Sequence, residues 1–306
     1  MKKTLIPFSL IALGILTGCN NETDLKKEVA NDTVPDTVVV ERPDINITDD
    51  NDTETNTSGY YAPTLNDSFY IVLNGSNTIN ADENATMLDI DLFDTSQEKI
   101  DEIHQKGKKV ICYFSAGSFE DWRPDADKFT DEMKGEKMEG WDELWLDIRI
   151  PALTDIMKAR IDLAKEKNCD AVDPDNIDGY SNNTGFDFTM EDEIAYLTTL
   201  AEYAHKQGMA IGFKNGLRMI PTLKTIFDFD INEQCHQYEG DCDWLKGFVE
   251  EGKPVFNIEY EDKYIDDENE FKKLCDSAVA DGFFTFIAPY ELDGSFYKPC
   301  PVPGER

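Results

Sequence analysis

The chain has 306 residues, 63 acidic against 29 basic side chains and a formal net charge of −34 at pH 7. That balance argues against nucleic acid or an anionic surface as partner and would draw in a cationic one, a merely soluble acidic surface being the plain alternative. Three histidines without ligand spacing (His104, His205, His236) and no Cys-x-x-Cys argue against a structural zinc.

Residues 1–18 read as an export leader: Lys2 and Lys3, an apolar run from Leu5 to Leu16, then Leu16-Thr17-Gly18-Cys19. The apolar run is too short to span a bilayer. Leu-Thr-Gly-Cys resembles the bacterial lipobox, at which cleavage leaves an acylated Cys19, and Asn20 rather than Asp at the next position favours the outer membrane. Residues 19–63 are then a disordered tether, rich in Asp, Asn, Thr and Pro and without a period of 2 or 3.6. Residues 20–63 hold eleven acidic and three basic side chains, a net of −8; losing Lys2 and Lys3 takes the chain from −34 to −36, of which −28 belongs to the body.

Residues 64–306 form one domain in which apolar, β-rich runs alternate with helical patterns. The expected strands are Phe69–Leu73, Met87–Leu92, Val110–Phe114, Ala171–Asp173, Ala210–Phe213, Phe229–Ile231, Val255–Ile258 and Phe283–Ile287, near-continuous apolar runs of the kind covered on both faces. The expected helices are Ser96–Lys106, Ala152–Lys167, Glu191–Gln207, Leu217–Thr225, Trp244–Glu251 and Glu268–Asp281. Gly107, Gly208, Gly252 and Gly282 close four of them. Eight such units predict an α/β fold, a single (β/α)8 TIM-type barrel, with residues 115–152 as an enlarged loop carrying Trp122, Trp141 and Trp145. A doubly wound open sheet is the competitor, but no Gly-x-Gly-x-x-Gly turn supports a dinucleotide version. Six cysteines remain after Cys19; Cys235 with Cys242, Cys275 with Cys300 and Cys112 with Cys169 is one of fifteen possible pairings.

Barrel enzymes place their chemistry at the C-terminal strand ends, which here are crowded with polar groups. The stretch CDAVDPDNIDGY (Cys169–Tyr180) alone holds Asp170, Asp173, Asp175 and Asp178. Like charges held together push their pKa values apart, so a fold keeps such a cluster chiefly where it is used. Two carboxylates facing each other across a sugar are the minimum set for glycoside cleavage, and Asp175 and Glu233, on non-adjacent strands, are the pair. Asp175 is read as nucleophile or base and Glu233 as general acid, in an assignment that can be reversed. Lys214, on the strand between, can keep one of them ionised.

The runs ICYFSAGSFEDWRPDA (Ile111–Ala126), LWLDIR (Leu144–Arg149), CDAVDPDNIDGY, GFKN (Gly212–Asn215), NEQC (Asn232–Cys235) and KPVFNIEY (Lys253–Tyr260) resemble glycoside hydrolase family 114, endo-α-1,4-polygalactosaminidases with a barrel fold. The resemblance implies hydrolysis of internal α-1,4-galactosaminidic bonds in an exopolysaccharide without metal or cofactor, and puts the motif acids on Asp175 and Glu233. Galactosamine without its acetyl group is a cation, which an acidic mouth would bind by charge-assisted hydrogen bonds. Asp91, Asp173 and Glu259 are the candidates for that, Asn176, Lys214 and Asn215 are further polar contacts, and Trp122, Tyr180 and Tyr260 can stack on sugar faces. The sequence departs from the family in Phe213 for Leu, Ala171 for Gly, and Phe69 and Tyr70 for paired tryptophans. A monomer is expected. The rivals are a non-catalytic carbohydrate-binding surface lipoprotein, a metal-dependent hydrolase using Asp89, Asp91, Asp173 and Asp175, and an adhesion or scaffold protein.

Overall fold

The protein is described by a computed structural model over residues 59–75 and 78–304. The leader, Cys19 and the tether as far as residue 58 lie outside the described residues. The strands are β1 (Phe69–Val72), β2 (Met87–Asp91), β3 (Lys109–Ser115), β4 (Ser118–Phe119), β5 (Lys134–Lys137), β6 (Leu144–Leu146), β7 (Ala171–Asp175), β8 (Ala210–Lys214), β9 (Phe229–Glu233), β10 (Val255–Glu259), β11 (Phe284–Ile287) and β12 (Lys298–Pro299). The helices are α1 (Gln97–Gln105), α2 (Pro151–Glu166), α3 (Met190–Lys206), α4 (Ile220–Leu223), α5 (Asp241–Glu250), α6 (Lys263–Asp266) and α7 (Glu268–Asp281).

Local chemistry explains where the longer helices start. Ser96 caps α1 by accepting from Lys99 N, and Asp267 caps α7 through Asn269 N and Glu270 N. Thr189 and Asp192 exchange side-chain and backbone bonds as a capping box at α3, while Pro151 opens α2 at a position where its missing N–H costs nothing.

Eight parallel strands run in the order β1-β2-β3-β7-β8-β9-β10-β11. The sheet curls until Phe69 of β1 stacks on Phe256 of β10, with ring centroids 4.8 Å apart. Its inner face is filled from all eight, by residues such as Phe69, Met87, Ile111, Ala210, Phe229 and Phe256, each fully buried. Burial of each large side chain among these contributes about 1.5–3 kcal/mol. The outer face packs against the helices through a second, larger cluster.

The expected closed (β/α)8 barrel is corrected. No ladder joins β11 to β1, and the sheet is an open, nine-stranded one. The free edge of β11 instead takes β12 antiparallel, with Phe286 opposite Pro299 and Ile287 opposite Lys298. Across the seam, the Tyr297 hydroxyl donates to Phe69 O at 2.9 Å, and Leu73 N and Asn74 N donate to Leu292 O. The carboxy-terminal segment thus occupies hydrogen-bonding groups that two closing strands would have offered each other. Pro299, which cannot donate to a ladder, fits an edge strand of this kind.

The long excursion after β3 holds a small sheet, β4-β6-β5, which the apolar pattern did not reveal. Buried arginines fasten it to the body. Arg160 of α2 reaches Asp125 through Nε and Nη2, both at 2.9 Å, and Ser115 O through Nη1 at 2.7 Å. Arg123 bonds Asp91 of β2 and Glu120 together. Disulfides join Cys112 to Cys169, Cys235 to Cys242 and Cys275 to Cys300, the last tying α7 to the tail that covers the β11 edge.

Candidate active site

Three adjacent strands end the same way. Asp175 is followed by Asn176 (φ 60°), Lys214 by Asn215 (φ 54°) and Glu233 by Gln234 (φ 64°), all in the left-handed region. Asn enters that region more readily than most residues, and such conformations cluster at working sites. The turn after β7 also needs Gly117, because a Cβ there would sit 1.7 Å from Asn176 O.

The three charged side chains meet at one point. Lys214 Nζ lies 3.0 Å from Asp175 Oδ1 and 3.0 Å from Glu233 Oε2. Those two oxygens are therefore separated by no more than twice that distance. Tyr113 of β3 donates to Asp175 Oδ2 at 2.9 Å. Asn215 Nδ2 donates to Glu233 Oε2 at 3.0 Å while Asn215 Oδ1 accepts from Glu233 N, and the Tyr260 hydroxyl donates to Glu233 Oε1.

Burial and pairing compete at each group. Burial would lower the Lys214 ammonium, but Asp175, Glu233 and Asp173 hold it well above the usual lysine range. Burial would likewise raise Glu233, and Lys214 first, then the bonds from Tyr260 and Asn215, keep its carboxyl below the ordinary value. The Glu233 carboxylate is thus held ionised beside one buried ammonium, which is 4% exposed and pairs with Asp175 on its other side.

Glu233 opens onto a cleft of about 790 Å³ lined also by Asp178, Tyr180, Asn215, Arg218 and Tyr238. Tyr260, bonded to Glu233, meets Tyr290 edge to face at 5.3 Å, and Tyr290 stacks on Trp141 at 6.0 Å. Trp141 and Tyr290 are 45% and 56% exposed. Sequence reasoning gave neither a role. Trp141 was visible only as a tryptophan in the excursion, and reading the end of β11 like the other strand ends would have reached Tyr290.

The remaining sequence candidates fall into two groups. Asn176 donates to Ser115 Oγ and Ser118 Oγ, Tyr180 lines the cleft, and Trp122 stands exposed on the excursion. Asp91 has its carboxylate taken by Arg123 and by Phe93 N and Asp94 N. Asp173 and Glu259 are fully buried, Asp173 in the interior beside Asp89 and Glu259 under His236 N and Asn257 Nδ2. Burial, with Asp175 adding and Lys214 opposing, pushes Asp173 up to about 7, and burial with Asp173 holds Asp89 well above the carboxylate range. The two share an interior in which both cannot be charged.

Among the described residues, Cys235, His236 and Cys242 alone bring three ligand atoms within 4.8 Å of one another, and both sulfurs are spent in a disulfide. The four aspartates of the metal-dependent reading do not converge in that way.

The profile of glycoside-hydrolase family GH114 matches residues 50–301. A search of curated proteins returned no match. Among solved structures, Ega3 of Aspergillus fumigatus, in complex with galactosamine, is 38% identical, with a TM-score of 0.74 over 80% of this chain and 99% of that one. The glycoside hydrolase domain of PelA from Pseudomonas aeruginosa is 17% identical, with a TM-score of 0.58 over 74% of this chain and 96% of that one, a likeness of fold.

Proposed function

From the premise that this chain belongs to glycoside-hydrolase family GH114 and is a glycosidase, we propose that it cleaves internal α-1,4-galactosaminidic bonds of a cationic, galactosamine-containing polysaccharide. The observation that carries the reading is the Asp175–Lys214–Glu233 arrangement at the cleft, together with the likeness to a galactosamine-bound relative.

The spacing of the two acids favours retention of configuration. Retaining glycosidases hold their carboxyls about 5–5.5 Å apart and inverting ones about 6.5–9.5 Å, and here the facing oxygens share one Nζ at 3.0 Å each. Asp175, fixed by Tyr113 and Lys214, attacks the anomeric carbon. Glu233 lines the open cleft, where the leaving oxygen departs and water later enters, so it gives its proton to the first and takes one from the second. When Asp175 becomes a neutral glycosyl ester, Lys214 turns its whole charge on Glu233 and keeps it ionised for the second step. Tyr260, bonded to Glu233, with Tyr290 and Trp141 beyond it, offers aromatic surface for sugar stacking.

The first step needs Glu233 protonated although its carboxyl is held low in the free enzyme. The sign follows directly: the protonated fraction falls as pH rises, so kcat/KM on a short oligosaccharide should fall with rising pH already within the ordinary carboxylate range. The decisive assay mixes the protein with partly de-acetylated galactosamine polymer and follows reducing ends, with NMR of the first anomer formed. Shortened chains with an α anomer first, and a loss of roughly 10²–10⁴-fold in Glu233→Gln, are expected. A polymer that binds and is never shortened would instead make this a non-catalytic carbohydrate-binding lipoprotein.

Residues 1–19 support export and a lipid anchor on Cys19, in a bacterial outer membrane, with the body acting as a monomer at that surface. Labelled palmitate should enter the wild-type chain and not Cys19→Ser.

A further inference from the structure

The carboxylates that the sequence offered for the substrate's ammonium are not free to take it. Asp91 is held by Arg123 and two backbone N–H groups, while Asp173 and Glu259 are closed off from solvent. Asp178 lines the cleft, but burial first and then Asp175 push its carboxyl above the ordinary range, against the charged form.

One carboxyl close to Asp175 has been left aside. Glu143, on the excursion just before β6, is half-buried and accepts a hydrogen bond from Ser118 Oγ. That hydroxyl contacts Ser115 Oγ and takes a bond from Asn176 Nδ2, so Glu143 is anchored to the turn that carries Asp175. The groups that act on Glu143 are Ser118, Glu120, Asp175 and Arg123. Arg123, the single cation among them, already lies 2.7 Å from Asp91 Oδ2 and 2.7 Å from Glu120 Oε1. Glu120 Oε2, in a residue only 3% exposed, has no partner at all. Among the described residues Glu143 thus has no ion pair of its own, and Glu120 keeps one oxygen without a hydrogen bond, so what the place lacks is a positive donor.

Resting on the galactosamine reading above, we propose that Glu143 binds the C2 ammonium of the sugar unit seated on Asp175, with Glu120 behind it. C2 is next to the carbon that Asp175 attacks, so a carboxyl neighbouring Asp175 is placed for its substituent, where contacts also strengthen in the transition state. Burial, with Glu120 and Asp175 adding to it and Ser118 and Arg123 opposing, pushes Glu143 up to about 7. In the empty site a share of Glu143 therefore carries a proton near neutrality. An arriving ammonium favours the carboxylate, and the displaced proton goes to solvent. An N-acetylated unit brings no charge and gains nothing, so Glu143 makes the enzyme select de-acetylated units at the cleavage point.

Two polymers of equal length, de-acetylated and N-acetylated, test this with wild type, Glu143→Gln and Glu143→Asp. Glu143→Gln should lower kcat/KM on the de-acetylated polymer by about ten- to a hundred-fold, the worth of a charge-assisted hydrogen bond, and leave the other unchanged. Glu143→Asp should recover part of the loss. In a Glu233→Gln background, calorimetry with oligogalactosamine at pH 7 in buffers of different ionisation enthalpy should show proton release that Glu143→Gln abolishes. An equal loss on both polymers, or proton release unchanged by Glu143→Gln, overturns the proposal. A wild-type enzyme that cuts neither polymer overturns the substrate reading instead.

Discussion

At the scale of single residues, Lys214 decides how the two acids behave. It is the largest of the influences that oppose burial at Glu233, and it separates two carboxylates that would otherwise repel across the same gap. Removing it as Lys214→Gln should let the Glu233 carboxyl rise. The alkaline limb of the pH–kcat/KM profile then moves to higher pH, with kcat reduced because Asp175 loses a donor. A limb that stays in place in the variant would argue against Glu233 as the proton donor.

At the scale of elements, the excursion after β3 depends on the buried Arg160–Asp125 pair that joins it to α2 and to Ser115 O. Removing one partner strands the other charge without water or counterion. Arg160→Met should cost about 3–5 kcal/mol, read from urea denaturation. Because the excursion also carries Trp141, away from the cleavage point, the same variant should weaken polymer binding more than the binding of a short oligosaccharide.

At the scale of the whole molecule, two electrostatic effects act together. The body carries −28, so capture of a cationic polymer should weaken as salt is raised. We expect kcat/KM on the de-acetylated polymer to fall between 0.05 and 0.5 M salt, values chosen to bracket a Debye length of about 10 Å at 0.1 M, with kcat at saturation unmoved. The interior acids act on stability. Asp89 and Asp173 have folded pKa values raised above the ordinary 3.8, Asp173 to about 7. Their contribution is therefore fully present below about 3.8 and is lost as pH rises through about 7. Glu233, held low, works in the opposite direction and loses its share as pH falls. The urea midpoint should drop from pH 4 to pH 7, and Asp173→Asn should flatten that drop, where self-repulsion of the surface charge would leave it.

The eight strand positions, the main helices and the strand ends bearing Asp175, Lys214 and Glu233 were legible in the sequence, because periodicity, caps and chain order are local properties, whereas the disulfide pairing, one of fifteen, was fixed only by the fold. Depth was not. Asp173 and Asp175 stand two residues apart on one strand and so share a face, yet at about 3.3 Å rise per residue the first lies a full layer deeper, closed off beside Asp89. A period of 2 reports which face a residue occupies and says nothing of how far it lies from water. Glu259, one residue before Tyr260, turned to the other face altogether. The open seam, the stacking of Trp141 on Tyr290 and the link of Glu143 through Ser118 to Asn176 were settled only in three dimensions, since each joins segments whose distance along the chain carries no pattern.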